Sequence, residues 1–342
     1  MKIAKTLAAL AMATFITLPA MAQNQWAQHK RTPRTTITAP VKPEKKGVQP
    51  LHVEGTKLVD PQGNPVVLHG ISYGWHNIWP RFWNAESCRY FIKDWNAQVI
   101  RASMGVSRPF NEEMHNSFLQ NPSLALRCLF NVVDAAIEND AYVIIDWHSH
   151  DIFEDDAVMF FTEMATKYKG VPNVMYELFN EPDYESWEEV KMYSEKVIKA
   201  IRAIEPDAVI LVGCPHWDQD VHVAAADPIR GQKNLMYTMH FYAATHGAWL
   251  RERTDEALKA GLPIFVSECA GMEASGDGPL DLAAWRAYVD WMQERGLSWC
   301  AWSVSDKVET CSMLIPGASA TGNWSEDELK PWAKLVRDEL KR

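Results

Sequence analysis

The sequence lacks several features that mark common classes of protein. No two of its six cysteines have the CxxC spacing of a structural zinc site. No GxGxxG motif follows the first predicted strand, so a dinucleotide-binding fold has no support. The net charge of −10 argues against a nucleic-acid partner. Apart from one stretch near the amino terminus, no apolar run approaches the length of a membrane span. We therefore expect a soluble, acidic protein with no metal, cofactor or membrane span.

The first 22 residues have the pattern of an export signal. Lys2 and Lys5 provide the positive start, residues 7–18 form the apolar centre, and Ala20-Met21-Ala22 matches a small-x-small cleavage site. This centre is too short and ends too abruptly for a membrane span. We expect export to the periplasm, the cell surface or the medium. Export permits disulfides, but a domain of this size has core enough without them, so the pairing of the cysteines stays open.

The chain divides into three parts by composition. Residues 23–50, which follow the predicted signal peptide (1–22), are rich in Thr, Pro, Lys and Gln and have almost no periodic apolar pattern. They predict a basic, solvated linker. Periodic apolar residues begin at about residue 51, so residues 51–342 are predicted to form one folded domain.

From residue 51 onward, short apolar runs alternate with longer amphipathic stretches. The predicted strands are 66–72, 98–104, 142–148, 174–180, 209–213, 235–241, 263–268 and 299–304. The predicted helices are 85–95, 123–139, 156–169, 186–203, 248–260, 281–295 and 326–341. Nearly continuous apolar strands are typical of a parallel sheet that is buried on both faces. Eight strand–helix repeats predict an α/β fold, a (β/α)8 TIM barrel, with a doubly wound sheet as the alternative.

Polar groups capable of chemistry follow most of these strands. Parallel barrels build their active sites at the carboxyl ends of the strands. Two strand ends carry a glutamate: Asn180-Glu181-Pro182 ends the fourth strand, and Glu268 ends the seventh. Further groups within or after strands are Trp75, Trp79, Arg101, His148, His240, Tyr242, Trp302 and Lys307. This clustering favours a catalytic site over solvated, idle loop residues.

The two glutamates suit the cleavage of a glycosidic bond. A retaining glycosidase needs a carboxylate that attacks the anomeric carbon and a carboxylic acid that protonates the leaving oxygen, about 5–5.5 Å apart. The fourth and seventh strands stand across the barrel mouth, so Glu181 and Glu268 can approach a sugar from opposite sides. Arg101 is the candidate cation that favours the ionised nucleophile, and its position inside a strand itself requires a carboxylate partner.

Other strand-end residues suit the binding of a sugar. Tyr242 can hydrogen-bond the nucleophile, His240 can do likewise or orient the sugar, and Asn180 can bind the 2-hydroxyl. For His148 and His240, a structural role fits the sequence as well as a ligand-facing one. The chain has 15 tryptophans, and indole faces stack on pyranose rings. Those at or after strand ends that we expect to contact sugar include Trp75, Trp79 and Trp302.

Taken together, these segments resemble glycoside hydrolase family 5, in particular its bacterial endoglucanase (cellulase) branch. The segments that carry the resemblance are HGISYGWHNIWP (69–80), QVIRASMG (98–105), VIIDWHSH (143–150), MYELFNEP (175–182), MYTMHFYAATHG (236–247), PIFVSECAG (263–271) and WCAWSVSDKVETCSMLIPGAS (299–319). They span nearly the whole predicted domain in the order of the family. The chain departs from the family pattern at Cys269-Ala270 and at 73–76.

The resemblance implies a (β/α)8 barrel that hydrolyses internal β-1,4-glucan bonds with retention and without a metal. It implies that Glu181 is the acid/base and Glu268 the nucleophile. The residues that match the shell of the family around the sugar at subsite −1 are Arg101, His148, Asn180, His240, Tyr242 and Trp302. Lys307 and Glu309 match residues that bind glucose farther toward the non-reducing side.

Two other classes of function stay open from the sequence. His148-Ser149-His150 resembles the HxH of metal-dependent barrel hydrolases, which place that motif on the first strand rather than the third. The second class is a glucan-binding protein that keeps the barrel fold but has lost catalytic activity. Within the family, mixed-linkage glucan, xyloglucan and mannan are alternative polymers. No carbohydrate-binding module is evident, so we expect soluble or loosened glucan chains to be the substrate. We also expect the protein to be a monomer.

Overall fold

The computed structural model describes residues 47–107 and 115–342. The predicted signal peptide and most of the predicted linker lie outside these ranges. The described chain opens with an antiparallel hairpin of β1 (His52–Glu54) and β2 (Lys57–Val59), which is not among the predicted strands. The side chain of Asn234 accepts a hydrogen bond from the backbone of Val53, so the hairpin is attached at the start of a later strand.

Eight parallel strands then close into a barrel, which confirms the predicted (β/α)8 TIM fold. They are β3 (His69–Tyr73), β4 (Val99–Gly105), β5 (Tyr142–His148), β6 (Val174–Glu177), β7 (Ile210–Val212), β8 (Leu235–Tyr242), β9 (Ile264–Ala270) and β10 (Trp299–Val304). Each strand pairs with the next along the chain, and β10 pairs with β3. Several strand bounds differ from the prediction, and two of them differ by three residues. β3 begins at His69 rather than 66, and β6 ends at Glu177, so residues 178–180 belong to the loop that follows.

Helices connect the strands. They are α1 (Ala85–Asp94), α2 (Pro122–Glu138), α3 (Glu154–Lys167), α4 (Trp187–Arg202), α5 (Val221–Ala226), α6 (Ala248–Lys259), α7 (Leu282–Arg295) and α8 (Pro331–Leu340). Local chemistry explains their ends. Ser186 and Glu189 form a capping box at the start of α4. Gly296 ends α7 in the left-handed conformation, at φ 57°. The last predicted helix begins at Pro331 rather than at 326, because proline is tolerated only in the first turn.

The interior of the barrel changes character along its axis. Its amino-terminal end is an apolar layer of Leu51, Leu58, Leu68, Val99, Tyr142, Ile144, Met175, Val209, Leu211, Met236, Phe265 and Cys300. Side chains on one face of a strand recur every second residue. Arg101 follows Val99 by two residues on β4, and Glu177 follows Met175 by two residues on β6. The same strand faces therefore carry an apolar base and, above it, buried charged groups.

All six cysteines lie within the described ranges and are free, buried thiols. The disulfides that export would permit are therefore not part of this fold. Among the helices of the described chain, none is long and apolar enough to cross a bilayer.

Candidate active site

A cavity of about 520 Å³ lies at the carboxyl ends of the barrel strands. The predicted site residues in its wall are Trp75, His148, Asn180, Glu181, His240, Tyr242, Glu268 and Trp302. Arg101 lies fully buried below the cavity. Of the described residues predicted to bind sugar, Trp79, Lys307 and Glu309 lie outside this wall. Their contribution to a longer cleft stays a prediction.

Glu181 and Glu268 come together in this cavity. A carboxyl oxygen of each and a ring nitrogen of His240 all lie within 4.8 Å of one another. His240 on β8 and Glu268 on β9 are register partners, while Glu181 reaches in from the loop after β6. This separation agrees with the spacing of about 5–5.5 Å in retaining glycosidases and is shorter than the roughly 6.5–9.5 Å of inverting ones.

A bulge in β9 directs Glu268 into the barrel. Thr238 pairs with Phe265 and His240 pairs with Glu268. Between these two pairs β8 advances by two residues and β9 by three, so β9 contains one extra residue. The same extra residue of β9 appears opposite β10. In a regular strand Ser267 and Glu268 would face opposite sides, but the bulge turns both inward. Ser267 therefore hydrogen-bonds groups inside the barrel while Glu268 reaches the cavity.

Arg101 organises the buried carboxyl groups. Its Nε and Nη2 donate to the two oxygens of Glu177 at 2.8 and 2.9 Å, and Nη1 donates to Oε2 of Glu268 at 2.8 Å. Nη2 also donates to Oδ1 of Asn180 at 2.7 Å and lies 3.0 Å from Asp146. The carboxylate partner predicted for Arg101 is thus a set of three. Because Oδ1 of Asn180 already accepts from Arg101, the amide has both Nδ2–H donors available for a sugar hydroxyl.

The two cavity carboxyls have different surroundings. Glu268 accepts hydrogen bonds from Arg101 and from the hydroxyl of Tyr242, the latter at 2.7 Å. Glu181 instead contacts Nδ1 of His240 at 2.9 Å. Burial raises the pKa of both glutamates, and their mutual repulsion favours a state in which the pair keeps one proton. Since a cation and a phenol stabilise ionised Glu268, the proton that the pair shares at neutral pH resides on Glu181.

The hydrogen bonds of His240 support the same assignment. Burial lowers the pKa of His240 to about 4, so the ring is neutral at neutral pH. Its Nε2 lies 2.9 Å from the hydroxyl of Ser267, which donates to Glu177 at 2.9 Å. Arg101 holds Glu177 as a carboxylate, so Ser267 must accept from an Nε2–H group. Nδ1 is then the acceptor, and it receives the proton of Glu181.

His148 is held on three sides. Its Nδ1 lies 2.7 Å from Asp146, its ring stacks on Trp302 with centroids 5.2 Å apart, and Trp75 meets it edge-on at 4.4 Å. Burial lowers the pKa of His148 well below its usual range. The neutral ring therefore donates from Nδ1 to Asp146, which leaves Nε2 as an acceptor for a sugar hydroxyl.

The His148-Ser149-His150 segment, which kept a metal-dependent hydrolase open as an alternative, does not form a ligand cluster among the described residues. The His, Cys, Asp and Glu side chains there that converge closely enough to hold an ion are Glu181, His240 and Glu268. A cation at this point would compete with a sugar for the same carboxyl oxygens. The site geometry therefore favours proton chemistry at the two glutamates.

The polar residues of the site that were not identified from the strand ends include Asp146, Glu177, Ser267 and Asp218. Asp146 and Glu177 stand inside strands, and a charged residue within an apolar run is the signal that would have found them, because it requires a buried partner. Ser267 becomes part of the site only through the bulge in β9. Asp218 lies in the loop after β7, where no periodic pattern singles it out.

A closed parallel barrel with two carboxyls this close across its mouth defines the class of barrel glycoside hydrolases. Residues 59–308 match the family described as cellulase (glycosyl hydrolase family 5), and the chain belongs to this family.

Named relatives and a solved structure agree with this membership. The chain is 39% identical over 287 residues to Endoglucanase A of Evansella cellulosilytica, covering 82% of this chain and 57% of the relative. It is 41% identical over 275 residues to Endoglucanase Z of Dickeya dadantii, covering 79% and 63%. The chain thus spans less than two thirds of these relatives. It is 34% identical to the catalytic domain of Thermobifida fusca endoglucanase Cel5A, with a TM-score of 0.78 and coverage of 85% and 97%. That domain has also been solved, as a variant, in complex with cellotetraose.

Proposed function

We propose that this chain is an endo-acting retaining β-1,4-glucanase, a cellulase, in which Glu181 is the acid/base and Glu268 the nucleophile. The observation that carries the proposal is the approach of the two carboxyls to within 4.8 Å in a cavity at the barrel mouth. The similarity to named endoglucanases, one of them solved with cellotetraose, supports a β-1,4-glucan as the substrate.

In the first step a glucan chain lies across the cavity with one sugar between the two glutamates. The carboxylate of Glu268 attacks the anomeric carbon, and the bond from that carbon to the leaving oxygen breaks. Glu181 transfers its proton to the leaving oxygen, so the departing chain leaves as a neutral alcohol. The product on the enzyme is a glycosyl ester of Glu268.

In the second step Glu181 has become a carboxylate and acts as the base. It takes a proton from water, the water oxygen attacks the anomeric carbon, and the ester bond to Glu268 breaks. Glu268 returns to the carboxylate form that Arg101 and Tyr242 stabilise. Two inversions at the same carbon restore the β configuration.

The groups around the pair suit the sugar that reacts. Asn180 offers Nδ2 donors and His148 offers an Nε2 acceptor to hydroxyl groups. Trp302, stacked on His148, contributes an aromatic wall. We propose that Lys307 and Glu309, with Trp79, contact sugars farther along the chain.

The nucleophile can be tested by trapping. A 2-deoxy-2-fluoro cellobioside with a good leaving group should form an ester that accumulates, because the fluorine slows both steps and the good leaving group speeds only the first. Mass mapping of the labelled peptide should place the ester on Glu268. The matched control Glu268→Gln should remain unlabelled. A label on another residue, or an α-configured first product by NMR, would overturn the retaining mechanism.

The polymer can be tested by a panel of soluble cellulose derivative, mixed-linkage glucan, xyloglucan and mannan. We expect the highest kcat/KM on β-1,4-glucan, with viscosity falling faster than reducing ends appear, as internal cleavage requires. A higher value on another polymer would reassign the substrate while leaving the mechanism intact. We also expect the isolated chain to bind only weakly to crystalline cellulose.

Two rival functions have distinct outcomes. Excess chelator should leave turnover unchanged, whereas a metal-dependent hydrolase would lose activity. A non-catalytic glucan-binding protein would retain oligosaccharides without releasing new reducing ends. Either of these results would reject the assignment.

We also propose that residues 1–22 direct export and that the chain acts as a monomer. Sequencing of the amino terminus of the protein recovered outside the cytoplasm should begin at Gln23. An uncleaved chain confined to the cytoplasm would contradict the export proposal. Light scattering during size-exclusion chromatography should give the monomer mass.

A further inference from the structure

Asp218 is a buried carboxyl beside the acid/base that the two hydrolytic steps do not require. Its Oδ2 lies 3.3 Å from Nδ1 of His240, the atom that Glu181 contacts at 2.9 Å. Its Oδ1 accepts the backbone N–H of Cys214. The side chain is fully buried, and within the described residues Oδ2 has no hydrogen-bond partner. The carboxyl groups of Glu181 and Asp218 therefore both lie close to Nδ1 of His240.

An unusual turn puts Asp218 in this place. His216, Trp217 and Asp218 all have left-handed backbone angles, with φ of 54°, 53° and 60°. Each such residue costs about 1–2 kcal/mol, and strain of this kind persists only where the surroundings fix the conformation. Trp217 donates its backbone N–H to the carbonyl of Pro182, the residue after Glu181. The turn is therefore attached to the loop that carries the acid/base.

The neutral ring of His240 needs a donor at Nδ1 throughout the reaction. Without one, its lone pair would face only the lone pairs of carboxyl oxygens. Glu181 is that donor while its proton points at the ring, but proton transfer requires the same proton to point at the leaving oxygen. Burial raises the pKa of Asp218 well above its usual range, so Asp218 is protonated at neutral pH. Its Oδ2–H is the second donor within reach.

We propose that Asp218 is a positioning residue for acid catalysis, a role that rests on the proposed function. Its carboxyl proton bonds to Nδ1 of His240 as Glu181 turns its own proton to the leaving oxygen. The proton stays on Asp218 throughout, so no covalent bond changes. His240 keeps its tautomer and position, and Glu181 gives up its hydrogen bond without leaving Nδ1 unsatisfied.

The test compares Asp218→Asn with Asp218→Leu on two substrates. Asparagine keeps an Nδ2–H donor for the ring and an oxygen acceptor for Cys214, whereas leucine removes both. With cellotetraose, whose leaving group needs the proton, Asp218→Leu should lower kcat/KM about tenfold, and Asp218→Asn should stay within about threefold of the parent. With 2,4-dinitrophenyl β-cellobioside, whose leaving group departs unprotonated, both variants should match the parent. Equal losses on both substrates, or no rescue by asparagine, would overturn the proposal.

A second measurement separates this role from a purely structural one. Residues that act on one proton transfer have non-additive effects, so adding Asp218→Leu to Glu181→Gln should lower kcat/KM on cellotetraose no further. An additive loss would mean that Asp218 supports only the turn. If the leucine variant fails to fold by thermal unfolding, Asp218→Ala is measured in the same way.

Glu181→Gln alone separates a failure of the proposed acid/base from a failure of the role proposed for Asp218. It should lose kcat/KM on cellotetraose and keep it on the dinitrophenyl substrate. If Glu181→Gln lacks this difference, the proposed acid/base itself is wrong. If Glu181→Gln has the difference and Asp218→Leu does not, only the role of Asp218 is rejected.

Discussion

The two ends of the barrel interior are built from the same strands but from opposite kinds of residue. At the amino end, Val99, Met175 and Phe265 belong to an apolar layer. Farther along the same strands, Arg101 and Glu177 form a buried ionic pair. The apolar end gains free energy by leaving water, whereas the polar end loses hydration that only well-placed partners can replace. The apolar end therefore stabilises the barrel, and the polar end uses that stability to hold charges in fixed positions.

The comparison also explains why the polar end is suited to catalysis. Groups in a rigid, dry site do not need to reorganise when charge moves during a reaction. One cation, Arg101, serves the three carboxyls Asp146, Glu177 and Glu268. This surplus of acidic groups keeps a proton within the site at neutral pH, which a glycosidase acid requires.

The largest effect on activity should come from replacing either cavity glutamate. Glu181→Gln should lower kcat on a soluble cellulose derivative by about 10²–10⁴-fold, because the leaving oxygen loses its acid. Glu268→Gln should lose at least as much, because no ester can form. Both variants should unfold at or above the parent temperature, since an amide removes a buried carboxyl. Near-parental turnover in either would contradict the roles, and a large loss of stability would contradict the division between the two ends.

At the apolar end, Phe265→Ala should destabilise the fold without changing the chemistry. The lost burial and the cavity should lower the free energy of unfolding by about 3–5 kcal/mol in a denaturant titration. Well below the unfolding temperature, kcat should stay within about twofold of the parent. A larger change in kcat would show that the base of the barrel positions the catalytic groups directly.

A smaller effect is expected from Tyr242→Phe at the polar end. The variant removes the hydroxyl that donates to Glu268 at 2.7 Å. Hydrogen bonds to charged groups are worth about 1.5–3 kcal/mol, so kcat/KM should fall by about 10–100-fold. The ionised form of Glu268 loses a donor, so its pKa rises and the acidic limb of the pH profile moves to higher pH. An unchanged acidic limb would show that Tyr242 does not stabilise the nucleophile.

The smallest effect concerns how stability depends on pH. Burial raises the pKa of Asp146 to about 7 in the folded chain and also raises the pKa of Glu181. Their values in an unfolded chain are near 4. Between these values the two carboxyls bind more protons in the folded state, so their contribution to the free energy of unfolding decreases as pH rises from about 4 to about 7. The buried neutral rings of His148 and His240 contribute with the opposite sign, because burial lowers their pKa in the folded chain.

Denaturant titrations of the parent and of Asp146→Asn across that range isolate the contribution of Asp146. Because asparagine does not titrate at this position, the free energy of unfolding of the parent should fall relative to that of Asp146→Asn as pH rises. Phe265→Ala, at the apolar end, should lower stability by the same amount at every pH. A rise of the parent relative to Asp146→Asn would mean that Arg101 depresses the pKa of Asp146 in the folded chain.

Much of the fold could be predicted from the sequence because its signals are local. Each barrel strand is an apolar run, and caps such as Ser186 and Gly296 mark the ends of helices. The predicted strands overlap all eight barrel strands. The hairpin β1–β2 was missed because strands of three residues carry too little periodicity to recognise.

The candidate site could be predicted in part. The need of Arg101 for a carboxylate follows from its place in an apolar strand, but the number of partners does not. Asp146 and Glu177 come from neighbouring strands, and only their register shows that both meet the guanidinium.

The sequence by itself determined the order of the strands, the kinds of residue at their ends and the pair of glutamates, because these depend on short-range patterns. Only the tertiary structure decided how those groups face one another. The bulge in β9 turns Ser267 and Glu268 to the same side, and the turn after β7 brings Asp218 beside His240. Strand register and loop conformation are set by packing across the whole barrel, so no local pattern could reveal them.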